Sequence, residues 1–235
     1  MSKAHRALLV SPGSPLPSDG FGGGWTKSQI LKIMRDSRNG SYATMGGCLW
    51  VVARCAIIGH LGSRVGPGGS VWALGASQGA GPAIVVAQAV ARASAAPLIY
   101  TYAYVVDDED AKGEFYNWFG DCKRLLGPWR VLLAFATAAS FAYGLLAPFE
   151  AQRVLAVTAV GTLVAGQYGQ SVLGGVMGDF LGATICMLEL AIYLALAADW
   201  QPEDLMNLTR LVVVVSLPQI YGWWTRREAP PAQDC

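Results

Sequence analysis

The chain has 235 residues, of which 53% are hydrophobic and 14% charged, against about 25% charged in an ordinary soluble domain. A net charge of +1 from 17 basic and 16 acidic residues gives no case for a nucleic-acid partner. Five scattered cysteines without a C-x-x-C pair indicate neither a disulfide framework nor a zinc site.

Residues 1–18, MSKAHRALLVSPGSPLPS, hold an apolar run of only four before a Pro/Ser/Gly stretch. That is too short for a signal-peptide core of about 7–15 residues, and a poorly structured segment is expected. Next comes DGFGGGWTKSQILKIMRDSRNG, starting at Asp19. Thr26 and Gln29 have capping-box spacing, and Ile30, Ile33 and Met34 recur at helical intervals, which predicts an interfacial helix over Lys27–Asp36. Trp25 would sit at headgroup level. Gly22, Gly23 and Gly24 leave backbone N–H groups open to an anion at that helix start. The same stretch reads equally as a flexible surface loop.

A helix crossing a hydrocarbon core of ~30 Å needs about 20 apolar residues. Six stretches qualify: Gly46–Leu61, Ser70–Ile99, Trp129–Pro148, Arg153–Gln170, Asp179–Ala198 and Leu205–Trp224. The third, fourth and fifth stand out. The expected fold class is therefore all-α, a polytopic membrane bundle of about six spans over 19–225, followed by a flexible tail at 226–235. With six spans, both termini share one side with nearly all the Lys and Arg, while the other side holds only Arg64 and, at a border, Arg153. The excess of Lys and Arg marks the cytosolic face, or its equivalent in another compartment.

Within the spans, Gly174, Gly178 and Gly182 are four apart and are expected on one helix face, where small residues let helices approach closely. Asp179 starts a span and reads either as a helix cap or as a functional acid. Glu189 lies about 15 Å further along that helix. It is either functional, as intramembrane acids are by default, or paired for structure with Arg54 or Arg92. Apart from that pairing, Arg54 and His60 have no partner that the sequence names. Arg92, just before Tyr100, Tyr102 and Tyr104, could hold a phosphate bidentately. The acid run Asp107–Asp110 reads as a solvated loop. Aspartates, arginines and a glycine-rich turn on one side suit metal-assisted phosphoryl chemistry. His5 and His60, the two histidines, give little support to serine-histidine-acid catalysis.

Three blocks, DGFGGGWTKSQILKIMRDSRNGSY, ARASAAPLIYTYAYVVDDEDAKG and GGVMGDFLGA, resemble successive blocks of the cobalamin synthase (adenosylcobinamide-GDP ribazoletransferase) family across roughly Asp19 to Leu196. The resemblance implies a membrane transferase of vitamin B12 nucleotide-loop assembly. It would join adenosylcobinamide-GDP to α-ribazole or its 5′-phosphate, release GMP and use Mg²⁺. Carried over by position, Asp19, Asp36 and Asp179 are the implied Mg²⁺ ligands or supports, and Arg38 and Arg92 the pyrophosphate clamps. Together with Asp179, Gly178 matches the family's Gly-Asp; Gly22, Gly23 and Gly24 stay candidates for the anion on their own pattern, and Glu189 matches a family acid. The implied setting is the lipid bilayer with the site at the cytosolic face and no nucleic acid, with room for a homo-oligomer or other B12-assembly enzymes as partners.

The chain departs from the family at several positions. Where the family reads His-x-Asp-Gly-x-x-Asp-x-x-Asp-Gly, this sequence has Val10, Pro12 and Leu16 in place of the histidine and the first two aspartates. Met177 replaces a threonine, Val106 stands where an arginine is common, and two upstream apolar spans have no counterpart. A truncated or wrongly joined reading frame is expected to give such a mid-motif start. The alternative function is a catalytically impaired or non-catalytic membrane paralogue or assembly partner. A CDP-alcohol phosphotransferase ranks lower, because its Asp-Gly-x-x-Ala-Arg signature is missing.

Overall fold

The computed structural model describes residues 26–34, 40–64, 79–105 and 125–199, together with 201, 203, 204, 206, 207 and 210. Among these the chain is helical, in the order α1 (Lys27–Met34), α2 (Ser41–Ser63), α3 (Ala80–Ala93), α4 (Ala95–Thr101), α5 (Pro128–Leu145), α6 (Pro148–Val172) and α7 (Gly178–Ala197). One isolated parallel bridge, Tyr104 to Val176, is the nearest thing to sheet among them. The expected all-α membrane bundle is the observed architecture. The N-terminal segment, the Asp107–Asp110 run, the C-terminal tail and nearly all of Leu205–Trp224 lie outside the described residues.

Three helices are long and apolar enough to cross a bilayer among the described residues: α2, the α3–α4 pair taken as Ala80–Thr101, and α7. Helices α5 and α6, which stand out in the sequence, fall outside that group. Polar residues account for this: α5 opens on Pro128, Trp129 and Arg130, and α6 carries Glu150, Gln152, Arg153, Gln167 and Gln170. The second span is broken at Ser94, whose hydroxyl donates to Ala91 O at 2.6 Å. Pro97 follows in α4 and cannot supply the N–H that would continue the ladder.

Helix α7 packs against α6, α3 and α2, and α3 also packs against α5. Close approach is provided by alanine: Ala83, Ala87 and Ala91 of α3 and Ala138 and Ala142 of α5 are buried in one cluster with Ile192 of α7. In lipid, such small faces gain from van der Waals contact where no hydrophobic driving force acts between helices. Buried hydroxyls on these helices are satisfied locally, Thr158 to Val154 O at 2.8 Å and Thr184 to Phe180 O at 2.8 Å. They therefore add no unpaired polar group to the interior.

The glycine expectation is corrected. Gly174 lies past the end of α6 at φ 79°, Gly178 opens α7, and a Cβ on Gly182 would meet nothing within 4 Å. The glycines that admit neighbours are on α6: a Cβ on Gly161 would stand 2.3 Å from Leu188 Cδ2, and one on Gly166 2.6 Å from the Tyr102 hydroxyl. Spacing by four is shared by any helix face, and here a turn interrupts it.

The two ends of the bundle differ. At the Ala197 end, Arg64 donates to Ala197 O at 2.6 Å and to Leu196 O at 3.4 Å, and Arg153 to Ala198 O at 3.4 Å. Arg64 also lies 3.5 Å from Asp199. Cations here complement the C-terminal end of the α7 dipole and its last carbonyls. That local role accounts for both arginines at this end of the bundle.

The capping box at Thr26 is present: Gln29 N donates to Thr26 Oγ1 at 3.4 Å, and Thr26 N to Gln29 Oε1 at 3.2 Å. The buried face of α1 is Ile30, Leu31 and Met34, so it is turned by one residue from the expected Ile30, Ile33 and Met34. Thr26→Ala is expected to cost about 1 kcal/mol of helix stability, read as faster amide exchange within Lys27–Met34.

Candidate functional site

At the other end of the bundle, three distant pieces of chain meet. Val105 N donates to Val176 O and Val176 N to Ala103 O, each at 2.8 Å, which ties the exit of α4 to the turn before α7. Gly175 makes this possible, since a Cβ there would stand 2.2 Å from Ala103 O. Gly175 N also reaches Gly169 O at 3.3 Å, fixing the turn to the last stretch of α6. Helix α1 docks on the same turn by burying Ile30, Leu31 and Met34 with Leu98, Val105 and Leu173.

This docking brings Lys27 over the turn: its Nζ lies 2.8 Å from where a Gly174 Cβ would be. Asp179 follows in the first turn of α7. Its side chain is half-buried and makes no hydrogen bond or ion pair to a described residue. An acid in a first helical turn is favoured by the macrodipole, and its free oxygens are suited to a cation. The end of the bundle that carries Asp179 thus also carries α1 with Lys27 and Lys32.

Deeper along α7 is a second polar group of residues. Glu189 is 3% exposed, and its Oε1 lies 2.8 Å from Arg54 Nη2. The same oxygen accepts from Tyr193 Oη at 3.0 Å and from Gln88 Nε2. Arg92 Nη1 donates to Gln88 O at 3.1 Å and to Gln88 Oε1. The Arg54 guanidinium is also 5.0 Å from the centre of the Trp50 ring and 6.0 Å from that of Tyr193, within cation–π range. Trp50 Nε1 in turn donates to Cys186 O at 3.1 Å.

Of the site residues expected from sequence, Asp179, Gly178 and Arg92 are described; Asp19, Asp36, Arg38, Gly22, Gly23 and Gly24 lie outside the described residues. Asp179 and Gly178 share the first turn of α7. Arg92 joins Glu189 instead, through Gln88, and Glu189 is ten positions along α7 from Asp179, about 15 Å at 1.5 Å per residue. Among the described residues no three His, Cys, Asp or Glu side chains group to hold a metal. Sequence reasoning missed Lys27, Gln88 and Tyr193, whereas Arg54, one of the two partners it offered for Glu189, is paired with that acid. The spacing of Gln88 to Arg92 and of Glu189 to Tyr193, four residues each, does place each pair on one helix face. Nothing in the sequence says that the two faces oppose one another.

A family profile described as cobalamin-5-phosphate synthase matches residues 18–197. The chain is 32% identical over 181 residues to the adenosylcobinamide-GDP ribazoletransferase of Shewanella sp. (strain W3-18-1), covering 76% of this chain and 61% of that protein. It is 30% identical over 181 residues to the enzyme of that name from Shewanella oneidensis, with the same coverage of 76% and 61%, and 29% identical over 186 residues to the one from Shewanella amazonensis, covering 78% and 64%. The chain thus spans about three-fifths of the length of the curated relatives it matches. No solved structure matches it.

Proposed function

We propose that this chain, which belongs to the cobalamin-5-phosphate synthase family, acts as an adenosylcobinamide-GDP ribazoletransferase in vitamin B12 nucleotide-loop assembly. A hydroxyl oxygen of α-ribazole, or of its 5′-phosphate, attacks the cobinamide-side phosphorus of adenosylcobinamide-GDP. The new P–O bond forms as the pyrophosphate P–O bond to GMP breaks, and the hydroxyl proton is lost to a base or solvent. The products are adenosylcobalamin, or its phosphate, and GMP.

The observation that carries this reading is the family match across residues 18–197, which takes in Asp19, Asp36, Arg38, Arg92 and Asp179. In support, Asp179, which makes no hydrogen bond or ion pair to a described residue, opens α7 at the end of the bundle where Lys27 overlies the turn. Asp19, Asp36 and Asp179 would hold Mg²⁺, and Arg38 and Arg92 would balance the remaining pyrophosphate charge. Bound there, the ion supplies charge neutralisation of the pyrophosphate and of the leaving GMP. The proposed orientation puts this end on the cytosolic or equivalent face, in keeping with the excess of Lys and Arg on that side.

The test is Mg²⁺-dependent release of GMP from adenosylcobinamide-GDP when α-ribazole is supplied. Asp179→Asn is expected to lower the rate by about a hundredfold or more with unchanged thermal unfolding. No release, either from this chain or from a form joined to an upstream His-x-Asp-Gly segment, would reject the reading. Pro12 and Leu16, which stand where the family carries aspartates, favour the second reading of a non-catalytic paralogue or assembly partner. Unaltered cellular B12 formation on Asp179→Ala would support that alternative.

A further inference from the structure

The group around Glu189 contains two guanidiniums and one carboxylate. Arg54 takes the carboxylate directly, whereas Arg92 is bound among the described residues only to Gln88. A cation held inside a span costs at least ~2.5–3.5 kcal/mol on insertion scales, so an arginine without an acid of its own calls for an anionic partner.

The orientation of the Gln88 amide is what links the two arginines. Its NH₂ faces Glu189 and its oxygen faces Arg92. A carboxylate accepts only and a guanidinium donates only, so the reversed amide would set oxygen against oxygen and N–H against N–H. Glu189 thereby fixes Gln88, and Gln88 fixes Arg92. Both bonds from Arg92 leave through Nη1, to the side-chain and main-chain oxygens of Gln88. The opposite edge of the guanidinium, Nε with Nη2, makes no hydrogen bond to a described residue, and such an edge holds two oxygens of a phosphate in parallel. Arg92 is also exposed in the structure.

We infer that Glu189 and Gln88 are positioning residues which present the Nε/Nη2 edge of Arg92 to the pyrophosphate of the substrate. The inference rests on the transferase reading, since it assigns Arg92 to that reaction. Arg54 completes the chain: it neutralises Glu189, so that the acid can orient Gln88 without adding a free negative charge beside the substrate phosphates.

The test uses the whole chain in nanodiscs, with Mg²⁺ and inorganic pyrophosphate as the binding probe, followed by steady-state kinetics with adenosylcobinamide-GDP. Gln88→Met is expected to weaken pyrophosphate binding about tenfold and to raise KM by a similar factor, with kcat within about twofold of wild type and unchanged thermal unfolding. Arg92→Ala is expected to be at least as impaired, and the double variant no worse than Arg92→Ala alone, because Gln88 acts only through Arg92. If Gln88→Met does not fold, Gln88→Asn replaces it, since its shorter amide cannot reach both Glu189 and Arg92, and the same losses are expected. Wild-type binding by the Gln88 variant, losses that multiply with those of Arg92→Ala, or no binding of pyrophosphate by the wild type would each overturn the inference. A wild type that binds pyrophosphate but releases no GMP would reject the transferase reading and leave the relay to be judged on binding.

Discussion

Gly175→Ala is expected to lower GMP release about a hundredfold, the scale on which a shift of about 1 Å at a reacting centre acts. The new methyl would lie 2.2 Å from Ala103 O and 3.1 Å from Ala103 C, and no rotamer change relieves a collision with backbone. The exit of α4 and the turn before α7 must therefore separate. Both hydrogen bonds between them, Val105 N to Val176 O and Val176 N to Ala103 O, are then lost. Overpacking costs about 1–3 kcal/mol, and each buried peptide group left unpaired costs a further ~1–3 kcal/mol. Met177 and Asp179 follow this turn directly, so the displacement is passed to the start of α7. Gly182→Ala is the matched control, because its Cβ meets nothing within 4 Å, and it is expected to keep wild-type activity and unfolding temperature. Equal activity in the two variants would show that the turn does not position Asp179.

What the sequence revealed was local. Capping at Thr26 and Gln29 depends on residues three apart, and it is present as expected. The apolar run that begins at Asp179 predicts the start of a span there, and α7 opens at Gly178. The glycine face failed for a related reason: spacing by four presumes an uninterrupted helix, and the positive φ of Gly174 ends that helix. A bridge from Tyr104 to Val176 joins residues far apart in the chain and leaves no periodic trace in either segment. Arg54 and Glu189 are a stronger case. Each was visible as an expensive residue inside a span, but their pairing depends on how α2 and α7 are turned toward each other. Arg64 and Arg153 share a place at the α7 carbonyls, a contact that no local pattern in either segment reveals.

Arg54→Ala is expected to be the most destabilising single change in the described helices, by about 3–5 kcal/mol, the cost of breaking a buried ion pair and leaving its partner uncompensated. Glu189 is the partner left behind, with 4% side-chain exposure, and Tyr193 and Gln88 remain to donate to its Oε1. Two neutral donors do not balance a full charge at that depth. The loss also reaches α2 as a whole. Only Ala43 and Leu61 of its 23 residues are buried, so apolar packing does little to hold it, and lipid competes for its apolar surface on equal terms. Its attachment then rests on Trp50 to Cys186 O, Arg54 to Glu189 and Arg64 at the α7 C-terminus, three polar contacts along one side of the helix. Arg54→Lys is expected to fall between wild type and Ala, since an ammonium keeps the charge but not the planar stacking against Trp50 and Tyr193. Arg54→Met combined with Glu189→Met is expected to recover most of the stability lost by Arg54→Ala, because removing both charges also removes the desolvation cost of each. That same double variant should bind pyrophosphate poorly, because Gln88 would no longer be oriented by a carboxylate. Thermal unfolding in a mild detergent, measured beside pyrophosphate binding, separates the two effects. An Arg54→Ala protein that unfolds at the wild-type temperature would show that the pair does not hold α2 in place.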